Sequence, residues 1–420
     1  MNFEVLKRSH LKRNILVAVL IIVLLLGIVI IKNRTNTLSN SSISKESITK
    51  ELKDNLIGAY IQNGDDYTPT SDIPTSGYEF NAEKSYCKIG DAIQEDIILF
   101  YDMDTQTITV SPITKEGLKC YLYFDEKAAA GDTILASENA LTGQTTDWTN
   151  NGQGVTYYYT GANPDNWFYF AGFYWRIIRI NGDGSIRMIY QGTSANTTGT
   201  GTQIGTSDFN SSYRDNMYVG FKYTSGQVHG TGTNSTILKT LNTWYNNNLT
   251  SYTEYLDGNA GFCGDRTPST SYNSSNGSGG TGTTTTYYGA YIRLYNNSNP
   301  SLQCDSQDIY TTKDSSTGNK ALTKPIGLIS ADEAMFAGIP NWNSSNQNNY
   351  LYTGQTYWTM SPARYDSDGA GVFGVAYDGS LGSWIVNYEN GVRPAINIRS
   401  DVSLSGSGTT LDPFKVVGAS

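Results

Sequence analysis

Charged side chains are scarce in this chain of 420 residues, since Asp, Glu, Lys and Arg make up only 16% of it. Acidic residues outnumber basic ones by 38 to 29, which gives a formal net charge of −9. Proteins bind nucleic acids mainly through Lys and Arg side chains that neutralise phosphates. The lack of a basic stripe outside the N-terminus therefore excludes a nucleic acid as the partner.

Histidine is rarer still, with two residues in the whole chain. His10 lies in the basic N-terminal flank, so His229 in "GQVHGTGTNS" is the remaining base for a Ser-His-Asp or Cys-His arrangement. Such a base needs a third group to hold it, whereas a Gly- and Thr-rich loop is typical of a solvated histidine. Histidine-rich metal sites are excluded by the same count. We expect no catalytic residue, no metal and no cofactor.

Calcium is the alternative that the carboxylates leave open. The segment "YDSDGAG" offers Asp366 and Asp368 as oxygen ligands. However, Gly369 comes too early for an EF-hand loop, and no Glu follows at the required position. We therefore interpret the segment as a polar turn.

Cysteine is also sparse, and its even count favours disulfides. The four residues are Cys87, Cys120, Cys263 and Cys304. In an exported chain they indicate two bridges, for which three pairings exist. We predict Cys87 with Cys120 and Cys263 with Cys304, because each pair falls within one compositional block. A zinc site is the weaker alternative, since no two cysteines have the short spacing of a ligand pair.

A long uncharged run is present near the N-terminus, from Ile15 to Ile31. A helix of that length rises about 25 Å, close to the hydrocarbon thickness of a bilayer. Basic residues are concentrated before the run, at Lys7, Arg8, Lys12 and Arg13. The sequence thus predicts a single-pass protein of the cell membrane, with a cytoplasmic N-terminus and the bulk of the chain outside. A cleaved signal peptide is the alternative, although no small-residue cleavage site follows.

The remaining pattern divides the chain into segments. We predict a cytoplasmic basic tail at 1–14, a transmembrane helix at 15–31 and a stalk with a short helix at 32–61, followed by a small all-β disulfide module at 62–126 and a larger domain at 127–420. The stalk helix is suggested by Ile48, Leu52, Leu56 and Tyr60, which recur every four residues. The module is suggested by short alternating runs such as "TITVS" and "CYLYF".

Glycine and tyrosine are abundant, with 43 and 31 residues, and this favours strands and turns in the larger domain. Its run "FYWRIIRINGDGSIRMIY" predicts a β-hairpin whose arginines are structural, with stems on apolar neighbours and heads that reach water or acids. Two helices are predicted, one capped by Ser235 and one opened by a capping box of Ser330 and Glu333. The polar run at 271–288 predicts a mobile loop, and Pro394 suggests an edge strand or a strand end.

Several motifs together resemble a family of uncharacterised exported surface proteins of Gram-positive gut bacteria. They include "FAGFYWRIIRINGDGSIRMIY", "FCGDR", "PIGLISADEAMFAG", "YWTMSP" and "GVRPAINI". The order of hairpin, two helices and final sheet is similar, more distantly, to C-type-lectin-like folds, including formylglycine-generating enzymes. This resemblance implies an α+β fold, in which a C-type-lectin-like domain of mixed strands and two helices follows the small all-β module and the transmembrane helix. It argues against the enzyme, which binds copper through a cysteine pair that has no counterpart after Cys304.

The resemblance implies a stable frame with a variable surface on its last strands. Aromatic and polar residues interleave there in a way that suits sugars or a tyrosine-rich protein contact. We expect the ligand site at Arg364, Tyr365, Asp366, Asp368, Tyr377, Trp384, Asn387 and Tyr388. The predicted function is that of a surface protein, such as an adhesin, that binds a glycan or a surface protein. Alternatives are an extracellular carboxylate-dependent glycan hydrolase and a passive envelope scaffold.

Overall fold

The computed structural model of the chain describes residues 41–43, 57–74, 78–102, 107–111, 117–126, 129–137, 142–149, 154–269 and 279–419. The chain divides into two compact units, Met1–Lys127 and Ala128–Ser420. The predicted tail at 1–14 and transmembrane helix at 15–31 lie outside the described residues. Within the described ranges, no helix has the length and apolar character needed to cross a bilayer.

The first unit consists of short strands. They are β1 (Ser41–Ile43), β2 (Ile57–Asn63), β3 (Asp66–Thr70), β4 (Tyr78–Phe80), β5 (Tyr86–Ile89), β6 (Ala92–Ile93), β7 (Ile98–Asp102), β8 (Thr107–Ser111) and β9 (Leu118–Glu126). One sheet has the order β1-β8-β7, and the other has the order β3-β2-β9-β5-β6 with β4 also paired to β9. The β2–β9 pair is parallel.

The two faces of β9 show why these residues form strands. Cys120, Leu122 and Phe124 are buried, whereas the intervening Tyr121 and Tyr123 lie on the outer face among other tyrosine rings. This alternation is the signature of a half-buried strand. The disulfide between Cys87 and Cys120 joins directly opposed residues of β5 and β9, as predicted.

The prediction of a stalk helix is wrong at its C-terminal end. Tyr60 belongs to β2, where Ile57 and Ala59 face the core, so the period is two and not four. The other residues of the predicted helical face, Ile48, Leu52 and Leu56, lie outside the described residues. An apolar residue at every fourth position fits both periods, since four is also a multiple of two.

The second unit contains the remaining elements. Its α-helices are α1 (Ala130–Leu135), α2 (Thr236–Asn248), α3 (Gly289–Tyr291), which continues as a π-turn (Ile292–Asn296), and α4 (Ala331–Phe336). Short 3-10 helices lie at Gly199–Thr202, Asn216–Val219, Thr250–Tyr255 and Ser306–Asp308. Its strands are β10 (Thr142–Thr146), β11 (Val155–Tyr158), β12 (Trp167–Phe170), β13 (Phe173–Ile180), β14 (Ile186–Gly192), β15 (Thr206–Ser207), β16 (Lys222–Tyr223), β17 (Thr233–Asn234), β18 (Phe262–Cys263), β19 (Thr286–Tyr287), β20 (Ile309–Tyr310), β21 (Tyr357–Asp366), β22 (Gly369–Val375), β23 (Leu381–Ile385), β24 (Asn390–Gly391), β25 (Ala395–Ile398), β26 (Leu404–Ser405) and β27 (Lys415–Val416).

Two sheets form the frame of this unit. The first has the order β10-β11-β13-β14-β25, with β12 paired to β13, and the second has the order β15-β24-β21-β22-β23, with β19 paired to β21. The β13–β14 hairpin is present as predicted, with two register shifts. Pro394 directly precedes β25, which lies at the edge of the first sheet, in agreement with a proline that cannot donate to a ladder.

The arginines of the β13–β14 hairpin are structural: Arg179 and Arg187 reach acids, whereas Arg176 donates to the Asn166 side chain and the Pro164 carbonyl. Arg179 and Arg187 are fully buried, and both contact the Glu333 carboxylate, at 2.9 and 2.8 Å. Arg179 also pairs with Asp147. The ring of Trp148 lies 4.5 Å from the Arg179 guanidinium carbon. Paired and stacked in this way, the buried charges link the first sheet to α4.

The two predicted helices begin at the predicted caps. The Ser235 side chain accepts a hydrogen bond from the Leu238 amide and starts α2, whose residues Leu241 and Tyr245 are buried. Ser330 and Glu333 form the capping box of α4.

The predicted fold class requires correction. Among the described residues, strands account for 37% and helices for 15%, so the fold is mostly β, and the predicted α+β fold with a C-type-lectin-like domain is wrong. Single-pass anchoring has no support in the described part of the chain. The abundance of Gly, Tyr and Thr explains the bias, because these residues suit strands and turns better than helix interiors.

The second predicted disulfide, between Cys263 and Cys304, is also present. Two disulfides agree with an oxidising, extracellular location. Residues 271–278 of the loop that we expected to be mobile lie outside the described residues. The prediction is wrong at Thr286–Tyr287, which form β19 against β21.

Candidate functional site

A cleft opens in the second sheet, beside the end of the β22–β23 hairpin that carries Gly371 and Ile385. Its volume is about 380 Å³, which lies in the range of small-molecule sites. The lining residues are Tyr213, Arg364, Asp368, Gly371, Ser383, Trp384, Ile385, Asn387 and Tyr388. Five of the eight residues named from the sequence thus meet at one place: Arg364, Asp368, Trp384, Asn387 and Tyr388.

Arg364 faces the cleft because β21 contains an extra residue next to Pro362. Pro362 lies opposite Val372, but Arg364, two residues later, lies opposite Gly371 and not Ala370. One extra residue moves the following side chain to the other face of a strand. A Cβ built on Gly371 would lie 3.7 Å from Cγ of Arg364, so the arginine stem lies on the Gly371 side of the sheet.

Glycine forms the floor of the cleft. The nearest atoms to a Cβ built on Gly371 are the carbonyl oxygens of Arg364 and Trp384, both at 3.6 Å, which is ordinary contact distance. Trp384 therefore borders the floor with its backbone. Its indole lies across two other glycines, since its ring atoms come within 2.5 Å of a Cβ built on Gly382 and 3.2 Å of one built on Gly374.

The charged part of the cleft is an arginine between two carboxylates. Arg364 Nε lies 2.8 Å from Asp366 Oδ2, and an Arg364 terminal nitrogen lies 3.8 Å from Asp368 Oδ2. The Nε contact is an ion pair without an aligned hydrogen bond. The Asp368 amide donates to Asp366 Oδ1 at 3.0 Å, which shapes the turn. One guanidinium and two carboxylates leave this group with an excess of one negative charge.

Asn387 and Tyr388 are placed by the residue that precedes them. Val386 is fully buried, and its carbonyl accepts hydrogen bonds from the amides of Phe209 and Asn210 at 2.8 and 3.0 Å. The Tyr388 amide donates to the Ile385 carbonyl at 3.0 Å. The chain is therefore fixed at Val386, while the Tyr388 side chain stays 55% exposed.

Tyr213 is a cleft residue that the sequence did not indicate. Its carbonyl accepts a hydrogen bond from the Ala370 amide at 2.8 Å. Gly369 has a φ of +118°, and a Cβ there would lie 2.5 Å from the Tyr213 ring, so only glycine permits this approach. Tyr213 lies far from the hairpin in sequence, and no local pattern connects the two segments.

The other three named residues have different environments. Tyr365 is 7% exposed on the opposite side of β21, and burial, together with the charge of Asp215, raises its pKa. Asp366 reaches the cleft only through Arg364. Tyr377 is 68% exposed in the turn between β22 and β23 and does not line the cleft.

The structure bears on the calcium alternative and on the environment of His229. Among the described residues, no group of three or more His, Cys, Asp or Glu side chains is arranged to hold a metal ion. His229 is not a solvated loop residue as expected, because its Nδ1 lies 3.1 Å from the buried Asp308 carboxylate. The contact with Asp308 raises the pKa of His229. This pair is not part of the cleft lining.

Residues 316–400 match the model of a family described as a domain of unknown function (DUF6273). The matched segment contains α4 and β21 to β25, and with them the cleft residues from Arg364 to Tyr388. Curated proteins gave no match to the chain, and neither did solved structures.

Proposed function

We propose that this protein binds a carbohydrate outside the cell, in the cleft lined by Arg364, Asn387 and Tyr388. The observation that carries the proposal is the convergence of aromatic, amide and charged side chains on one open cleft with a glycine floor. Tyrosine rings offer apolar faces for the C–H surface of a sugar, and Asn, Arg and Asp offer donors and acceptors for its hydroxyl groups. The two disulfides support an extracellular setting.

The charge of the cleft favours a neutral sugar. Asp366 and Asp368 already neutralise Arg364 and leave an excess negative charge. An acidic sugar would be repelled by this excess.

The hydrolase alternative fits the same residues less well. Glycoside hydrolysis needs one protonated carboxylic acid beside a second carboxylate. Of the two carboxylates here, Asp368 alone lines the cleft, and both are ion-paired with Arg364. This arrangement supplies two hydrogen-bond acceptors and favours binding over bond cleavage.

The test is a glycan array probed with the purified full chain, followed by titration calorimetry of each hit. We expect Tyr388→Ala to weaken binding by about tenfold or more, as for a contact residue at the centre of a site. Tyr377→Ala is the matched control, because both tyrosines are mostly exposed and Tyr377 lies outside the cleft; its binding should equal that of the wild type.

An array without hits, or a hit that survives Tyr388→Ala unchanged, would refute this site. Shortened sugars detected by mass spectrometry after incubation would instead establish the hydrolase. Binding only to other surface proteins would favour the scaffold or protein-ligand alternative.

A further inference from the structure

A row of aromatic side chains continues from the cleft along the same side of the sheet. The aromatic row consists of Tyr291, Tyr295 and Trp342. The Tyr291 and Tyr295 ring centres are 4.8 Å apart, and those of Tyr295 and Trp342 are 6.1 Å apart. None of these residues was singled out from the sequence, because they come from two separate segments.

Tyr295 joins the aromatic row to the cleft. Its ring packs 5.3 Å from that of Phe373 in β22, and its side chain forms a hydrogen bond with Ser383. Ser383 lines the cleft. Tyr291 precedes Tyr295 by four residues, a spacing that places both on one face of the helical segment.

Trp342 is held at the far end of the row by its own loop. The neighbouring Asn341 forms a bridge with Leu381 at the start of β23, and its side-chain amide donates to Ser298 Oγ at 3.0 Å. Even so, Trp342 remains 60% exposed. A large exposed ring on a fixed backbone is a favourable anchor for a ligand, since binding costs little conformational entropy.

The distance along β23 indicates the size of the ligand. Leu381, Ser383 and Ile385 alternate onto one face: Leu381 is bridged to Asn341, the neighbour of Trp342, and Ser383 and Ile385 line the cleft. Four residues of strand correspond to roughly 13 Å. This length exceeds a single sugar ring.

We propose that the cleft and the aromatic row together hold an extended neutral oligosaccharide, with its end or a middle unit in the cleft and further units over Tyr295 and Trp342. This inference rests on the proposed carbohydrate function and specifies its ligand as a chain of sugars. The partly exposed tyrosines supply the continuous surface, and Trp342 supplies the outermost subsite.

The experiment measures affinity against chain length by titration calorimetry with the full chain. The probes are homologous series from monosaccharide to hexasaccharide of β-1,4-linked glucose, β-1,4-linked N-acetylglucosamine and α-linked mannose. We expect affinity to rise with length in at least one series. Trp342→Ala should lower the affinity for the longest member about tenfold and leave the affinity for the shortest binding member unchanged.

Tyr169→Ala is the matched control, because Tyr169 is a partly exposed ring on β12 of the other sheet; its length dependence should match the wild type. Equal affinity for short and long probes, or a length dependence that survives Trp342→Ala, overturns the inference. Tyr388-dependent binding of the short probes would then still stand. If no series binds while the glycan array gives a Tyr388-dependent hit, the inference fails and the carbohydrate function stands; an array without hits removes both.

Discussion

Glu333 accepts a hydrogen bond from Arg179 Nε at 2.9 Å through one carboxylate oxygen, while its other oxygen accepts from the Ser330 amide at 2.8 Å. A single side chain thus caps α4 and neutralises a fully buried arginine of β13. Arg187 contacts the first of these oxygens at 2.8 Å, and burial lowers the pKa of Arg187 to about 10. The Glu333 carboxylate therefore stabilises two buried guanidinium groups and the N-terminus of α4.

Glu333→Gln should be among the most damaging conservative substitutions in the chain. It keeps the shape of the side chain but leaves two buried arginines with less negative charge, and breaking such a pair costs about 3 to 5 kcal/mol of unfolding free energy. The measurement is urea unfolding followed by tryptophan fluorescence. Ser330→Ala is the control, since it removes only the cap and should cost about 1 kcal/mol. Equal losses in both variants would mean that the buried ion pairs contribute nothing.

Gly371→Ala should impair the cleft without impairing the fold. The added methyl group has 3.6 Å to its nearest neighbours, and replacing a strand glycine whose backbone suits alanine stabilises by about 0.4 to 1 kcal/mol. Carbohydrate binding should fall while the thermal midpoint stays constant or rises. Gly374→Ala is the counterpart, because its Cβ would lie 2.6 Å from the Tyr357 carbonyl oxygen, so its midpoint should drop. A lower midpoint for Gly371→Ala would contradict the floor geometry.

The disulfides should stabilise the two units separately. Cys263 and Cys304 are 41 residues apart, and closing a loop of that length contributes about 4 kcal/mol in the chain-entropy model. Cys263→Ser with Cys304→Ser should lower the calorimetric transition of the second unit only. Cys87→Ser with Cys120→Ser should lower that of the first unit only. If either pair shifts both transitions equally, the units do not unfold independently.

His229 should make the second unit more stable in mild acid than in mild base. The contact of Nδ1 with the Asp308 carboxylate raises the pKa of His229 above its usual value of 6.5. The stabilisation is therefore complete below that usual value and is lost as the pH rises through the folded-state pKa. Asp305 adds to the rise, while burial and the nearby Arg266 oppose it.

Urea midpoints compared between pH 6 and pH 8 will measure this effect. His229→Gln should remove the part of the difference that belongs to the histidine. A pH dependence that is the same in wild type and variant would show that the Asp308 contact contributes nothing to stability.

Most of the correct predictions came from local sequence patterns. The β13–β14 hairpin, the Ser235 and Ser330 caps and both disulfide pairs follow from spacing and residue type over short stretches. The helix expected to end near Tyr60 failed because a four-residue spacing fits a strand as well as a helix, and tertiary pairing with β9 decided between them.

The cleft could be predicted only in part. Arg364, Asp368, Trp384, Asn387 and Tyr388 fall within one aromatic and polar stretch, so their composition identified them. Tyr213 of the cleft and Trp342 of the aromatic row come from distant segments. The register shift after Pro362 depends on how β21 pairs with β22. Such long-range pairing leaves no periodic trace in the sequence.

The register shift between Pro362 and Arg364 also decides which kind of divergence this surface tolerates. Exchange of one residue type for another around the cleft changes chemistry but keeps the direction of every side chain. Gain or loss of one residue between these two positions exchanges the inner and outer sides of β21 from there to its end. When another chain is aligned with this one, the placement of gaps in that strand is therefore more informative than percentage identity.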